Sequence, residues 1–321
     1  MIMPYVVRLA CLSLACFFLV HVALAMGINW LAPWVLAWAK RRKPRSAAAV
    51  LLATRLFPSV AAVLAVAGIC VPSYLWLEPE SAVEQVGLVC LAAAVVSLAS
   101  WGFAAERGLR AIVLSMRYAR QGGRPSGENA RVSVIEGAAG LFALTGIFRP
   151  RLVISRQVLQ SLSPEELEVA LRHELAHQVS RDNLKRLLLL LAPAPQLAGL
   201  ASLERGWAQF TEWAADDRAV GGDLSRSVSL AAALVRVARL GVPAGAPVLM
   251  TSLVADGRDL QVRVDRLLGI APCGENQRQR RPKFIAPTLM LGGVLAGITV
   301  ALLTGPATLQ AAHGLLEYLI R

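Results

Sequence analysis

SPEELEVALRHELAHQVSRD, residues Ser163 to Asp182, decides how the rest of the chain is read. On a helix, His173 and His177 stand at i and i+4, so both imidazoles leave one face a turn apart, and Glu174 leans toward the same open side. Such a face can hold a zinc ion, with the glutamate placed to take a proton from a water on the metal. The stretch carries its own helix signals. Ser163 is an N-cap, Pro164 suits the first helical position, Glu166 completes a capping box and Glu165 complements the helix dipole. No Gly or Pro follows until Pro193. The chain has only four histidines, so two at this spacing with an acid beside the first are poorly explained as an ordinary surface helix. A metal-dependent hydrolase is the leading expectation.

The composition sets this helix in a membrane protein. The 321 residues are 56% hydrophobic and only 17% charged, and the mean hydropathy is +0.55. That is too apolar for a soluble domain of this size. The net charge of +12 could suggest a nucleic-acid partner. However, the excess sits in short clusters beside apolar runs, the pattern of the positive-inside rule, and no direct nucleic-acid contact is expected. Cys11, Cys16, Cys70, Cys90 and Cys273 show no CxxC spacing, and four of them fall in apolar runs, so neither a disulfide framework nor a metal cluster follows.

Residues 5 to 39 form an apolar run longer than a perpendicular span needs, read as one tilted span with an interfacial extension. A cleaved signal peptide fits less well, because the n-region carries only Arg8 and the run continues well past Ala23-Leu24-Ala25. Lys40, Arg41, Arg42, Lys43 and Arg45 place the following turn in the cytoplasm and the N-terminus outside. Leu56 to Leu77 is the second span, Glu78 to Glu84 an external loop and Gln85 to Ala105 the third span. Arg107, Arg110, Arg117, Arg120 and Arg124 return the chain to the cytoplasm, where it is expected to stay until Lys283. Phe284 to Thr304 is the fourth span, entered from Arg278, Arg280, Arg281 and Lys283. Its Gly293 and Gly297 form a GxxxG pair that suits either a close helix partner or a flexible span, so a homo-oligomer is left open. The tail, Gly305 to Arg321, is too short for a sensor domain.

The expected fold is therefore a mainly α integral membrane protein. It has a three-helix anchor (1–105), a cytoplasmic α+β metallopeptidase domain (106–283) inserted between the third and fourth helices, a fourth helix (284–304) and a short external tail (305–321). In the inserted part, Arg131 to Ile135 and Arg151 to Ser155 alternate polar and β-branched residues, with Gly137, Gly140, Gly146 and Pro150 between them. They predict a small sheet beside the metal, whose edge could hold an extended peptide. Leu187 to Leu203, interrupted by Pro193 and Pro195, reads equally as a hairpin dipping into the membrane or as a buried core segment.

Catalytic zinc usually takes three protein ligands, so two histidines need a partner. Thr211 to Val220, TEWAADDRAV, offers Glu212 as third ligand, and Asp216 one turn on could accept the N–H of a ligand histidine and fix its tautomer. An acidic helix face turned to solvent is the alternative for this pair.

His173, Glu174, His177 and then Glu212, Ala215, Asp216, an HExxH followed by ExxAD, resemble the gluzincin membrane metallopeptidases. Gly146 to Leu184, with its Gly-x-x-x-Pro element and the Arg181–Asp182 pair, is similar to the BlaR/MecR-type antirepressor proteases, as are three spans, a protease and a fourth span. Ala215, where that family often has Cys, is instead as in the HtpX heat-shock proteases and related prenyl-protein endopeptidases. With no sensor domain after the fourth span, β-lactam sensing is not expected.

Resemblance and residue chemistry imply one catalytic zinc on His173, His177 and Glu212, with Glu174 as general base toward a peptide carbonyl. Arg205 and Arg218 are candidates for oxyanion stabilisation, though exposed arginines near helices are more often solvated. The expected activity is zinc endopeptidase cleavage of cytoplasmic or membrane proteins, a transcriptional repressor among them, in regulated proteolysis at the bacterial-type inner membrane. HtpX-like quality control and a non-catalytic zinc scaffold are the alternatives, and Glu174 argues against the scaffold because a structural zinc site needs no base. Four spans with few buried charges offer no ion path, so a transporter ranks last.

Overall fold

The computed structural model describes residues 4–77, 86–121, 132–136, 140–147, 150–193, 195, 197–241, 249–253, 257–269 and 314. Three helices are long and apolar enough to cross a membrane: Tyr5–Ala39, Pro44–Leu77 and Leu88–Arg117. The first is α1, continuous through Pro33. The second comprises α2 (Pro44–Ala65), a π-helical turn (Val66–Cys70) and α3 (Val71–Leu77). The third begins α4 (Leu88–Gln121), which passes residue 105 without a break. The expected loop 78–84, the fourth span 284–304 and all of the tail but Gly314 lie outside the described residues.

A helix of 35 residues is about 52 Å long, well beyond the roughly 30 Å of hydrocarbon in a bilayer. Where α1 and α2 meet, around Lys40–Lys43, their adjoining turns are used for packing. Ala25, Ile28, Ala32 and Ala39 of α1 and Ala47 and Leu51 of α2 bury themselves against Leu200, Leu203, Trp207 and Phe210 of α8 (Ala198–Val220). The small alanines let the helices approach closely.

The proline-interrupted segment 187–203 enters this arrangement as the end of α7 (Asp182–Leu191) and the start of α8. Arg107 donates to the Leu190 carbonyl at 3.2 Å, Ser59 to the Pro193 carbonyl at 3.4 Å, and the buried Arg55 stands 3.5 Å from Glu204. The Gly199 N–H donates to the Asn29 side chain at 2.8 Å. The backbone groups released by the proline break are thus met by α1, α2 and α4, and the hairpin wedges between the three long helices.

The sheet orders its strands β1-β3-β2-β4: β1 Val132–Ile135, β2 Phe142–Thr145, β3 Arg151–Ser155 and β4 Met250–Ser252. β3 runs parallel to β1 and antiparallel to β2, and β2 runs antiparallel to β4. The two strands expected from alternation are β1 and β3. β2 gave no such signal because all four of its residues are buried, so no alternation of polar and apolar positions marks it. Phe142 and Ile154 join Val158 of α5 (Arg156–Ser161), Val169 and Ala170 of α6 (Pro164–Ser180), and Leu230 and Leu234 of α9 (Leu224–Arg239) in the domain core. Leu260, Val264 and Leu267 of α10 (Gly257–Leu267) close it from the other end.

A Cβ on Gly199 would stand 2.6 Å from the Asn29 carbonyl oxygen, a backbone atom that cannot move aside, whereas one on Gly27 would meet nothing within 4 Å. Gly199→Ala is expected to destabilise by about 1–3 kcal/mol, and Gly27→Ala to leave stability unchanged or slightly raised. Unfolding midpoints of the two variants in detergent micelles test this wedge directly.

Candidate metal centre

α6 begins as its sequence demands. The Ser163 hydroxyl accepts from Glu166 N–H at 3.2 Å, Glu166 accepts from Ser163 N–H at 2.9 Å, and Arg236 of α9 pairs with Glu166 at 3.0 Å. With that end fixed, His173, Glu174 and His177 fall on the buried face, each no more than 1% exposed.

α6 ends at Arg181, which adopts left-handed φ 54° and is the only non-glycine with positive φ among the described residues. That conformation costs an L-residue about 1–2 kcal/mol, and here it reverses the chain so that Asp182 comes back under the helix it has just left. The Asp182 carboxylate accepts from His177 Nδ1 at 2.8 Å and from Lys185 at 2.8 Å. Asn183, next in the turn, donates to the Leu144 and Gly146 carbonyls at 3.3 and 2.8 Å and ties the turn to the end of β2.

α8 supplies the acids. Glu212 Oε2 lies 3.5 Å from His173 Nε2 and 3.6 Å from His177 Nε2, and those two nitrogens are 3.1 Å apart. Donor atoms of all three side chains fall within 4.8 Å of one another. One turn on, Asp216 Oδ1 stands 3.0 Å from His173 Nδ1. Each histidine therefore has a carboxylate at Nδ1, which turns both Nε2 atoms toward Glu212.

Arg263 of α10 is 4% exposed and holds the acids in place. It donates to Asp216 through two nitrogens at 2.9 and 2.7 Å and to the Leu253 carbonyl at 2.8 Å, and it approaches Glu212 to 3.3 Å. Arg186 comes within 3.7 Å of Glu212 on the other side. The cations brought to Glu212 are Arg263 and Arg186; Arg205 is exposed two turns before Glu212, and Arg218 is exposed and donates to Ser180 at 3.5 Å.

The electrostatics follow from burial opposed by close partners. Burial disfavours charge on His177, yet Glu212 and Asp182 push it up to about 10, and His173 is likewise raised against burial by Asp216 and Glu212. Burial also opposes ionisation of Glu212, but His177, His173 and Arg263 hold it well below the carboxylate range. Asp216 is brought down to about 2 by Arg263 and His173, and Asp182 is lowered by His177 and Lys185, both against burial. Glu174 lies close enough for its charge to raise both His177 and Arg263. Neither oxygen of Glu212 accepts a hydrogen bond although the residue is buried. A charged carboxylate that lacks hydrogen bonds and faces two Nε2 atoms fits a zinc ligand set.

Residues 104–245 match Peptidase family M48. The matched stretch contains His173, Glu174, His177, Glu212 and Asp216, and it supports the M48 metallopeptidase family. No curated protein matches the chain. The family match, the His–His–Glu group and the three apolar helices together support a membrane zinc metalloprotease.

Sequence reasoning did not assign Arg263 a role and reached Asp182 only through a resemblance. Arg263 had a signal: it interrupts the apolar stripe of Leu260, Val264 and Leu267, and a cation on a buried stripe implies a buried anion. Asp182→Asn is expected to weaken zinc binding about 10–100-fold, read by chelator competition. Arg263→Ala removes both guanidinium contacts of the buried Asp216 and leaves it facing His173, and is expected to cost about 3–5 kcal/mol of stability, read from the unfolding midpoint of the zinc-loaded protein.

Proposed function

We propose that this protein is an integral-membrane zinc endopeptidase acting on cytoplasmic or membrane-bound proteins. Convergence of His173 Nε2, His177 Nε2 and a Glu212 oxygen beside the buried Glu174 carries the reading. His173, His177 and Glu212 would hold one zinc ion, whose Lewis acidity activates water and polarises a peptide carbonyl. Glu174 takes the proton of the attacking water and passes it to the leaving amine. Asp216 and Asp182 keep the Nδ1 protons in place, and Arg263 balances the acids. Among the described residues β4 is an edge strand packed against α6 and α7, and it suits an extended substrate pairing backbone to backbone.

The basic clusters support an external N-terminus, a domain from 106 to 283 on the cytoplasmic side of the bacterial-type inner membrane, a fourth span at 284–304 and an external tail. Regulated proteolysis in the BlaR/MecR manner, with a repressor or membrane protein as substrate, is the preferred role; Ala215 favours the HtpX-like quality-control alternative.

Glu174→Gln is expected to retain zinc while lowering peptide cleavage by at least about 10²–10⁴-fold. Comparative proteomics of cells carrying wild-type or Glu174→Gln protein would show the substrate as a protein cut only by the former. Equal cleavage in both would sink the mechanism, and a zinc site closed by four protein ligands would favour the scaffold reading.

A further inference from the structure

α2 and α8 lie side by side, and next to them the end of α6 and the start of α7 enclose a cavity of ≈ 460 Å³. Its α2 wall includes Ala49, Leu52 and Leu56, a stripe at i, i+3, i+7 on a helix apolar enough to cross a membrane. Its charged lining is Arg45, Lys185 and Arg218, three cations against the single carboxylate of Asp182. That carboxylate already accepts from His177 and Lys185.

From Arg45 to Leu56 the wall climbs eleven residues, about 16 Å. An occupant must therefore be anionic at one end and apolar along its length. An extended peptide is a poor match, because all the lining residues but Arg45, Ser180 and Asp182 are reached on helix flanks, and no strand edge contributes. A phospholipid of the surrounding bilayer has the required form, and basic pockets beside membrane helices are where anionic headgroups bind.

We propose that this cavity binds an anionic phospholipid, with its phosphate on Arg45, Lys185 and Arg218 and its acyl chain along Ala49, Leu52 and Leu56 toward the membrane. The inference rests on membrane insertion and the cavity, and is independent of peptidase activity. The occupied cavity opens on Asp182, one hydrogen bond from His177.

The full zinc-loaded chain in nanodiscs of phosphatidylcholine with a minor share of phosphatidylglycerol provides the test, with retained lipid counted by native mass spectrometry. Wild type is expected to retain phosphatidylglycerol in preference to phosphatidylcholine. Arg45→Gln with Arg218→Gln, both exposed and outside the metal group, should weaken that retention about fivefold per arginine. Ala49→Trp, which fills the wall and leaves the charges intact, should lose it as well. Zinc content and unfolding midpoint show that each variant is folded, and if Ala49→Trp fails to fold, the arginine pair decides alone. Equal retention of the two lipids by wild type, or undiminished phosphatidylglycerol in the arginine variant, overturns the proposal. So does unaltered retention in a folded Ala49→Trp variant with full displacement by inorganic phosphate, which would mark a simple anion site.

Discussion

Glu212 has to carry a charge where water does not reach it, and the domain is arranged around that requirement. A buried carboxylate with no partner would take up a proton and cease to be a ligand. Here the cost is met by neighbours on three other helices: the histidines of α6, Arg186 of α7 and Arg263 of α10. Arg263 is the member that reaches furthest. It binds Asp216 with both prongs of its guanidinium and the Leu253 carbonyl after β4, so one side chain fixes the acid helix, α10 and the end of the sheet relative to one another. Charge-assisted pairs of this kind set geometry more than they add stability, and a metal site needs geometry.

The two Nδ1 carboxylates show how unlike routes reach one result. Asp216 approaches His173 from another helix, one turn beyond the ligand on the same stripe, and helical periodicity alone finds it. Asp182 approaches His177 from five residues along the same chain, which no regular helix allows. It requires the left-handed turn at Arg181, and nothing in a single sequence marks an arginine for φ > 0. The HExxH helix, its capping box, Glu212 and the three apolar helices were legible because each rests on a local pattern with a fixed period. β2, β4, Asp182 and Arg263 were not read from pattern, because their identities are set by what they meet across the fold. The cations brought to Glu212 illustrate the same limit, since they come from α7 and α10.

The segment 187–203 packs as a wedge of α7 and α8 against the long helices. Of its two readings, the buried core segment is the one the packing bears on, since Leu189, Leu200 and Leu203 are buried against the apolar helices. Prolines that would weaken a soluble core are tolerated because Ser59, Asn29 and Arg107 meet the polar groups of the hairpin.

α8 is a rod whose first turn is seated on Asn29 of α1 and whose middle carries Glu212. Gly199 and Glu212 are separated by thirteen residues, or about 20 Å of stiff helix. A tilt of about 3° at the seat would swing Glu212 by about 1 Å, enough to pull an oxygen out of coordination range of a metal held by two imidazoles. The contacts that hold Gly199 on Asn29 and those that hold Glu212 beside the histidines therefore act on one stiff element, and the seat on α1 takes part in aligning the ligand set as well as in joining the helices.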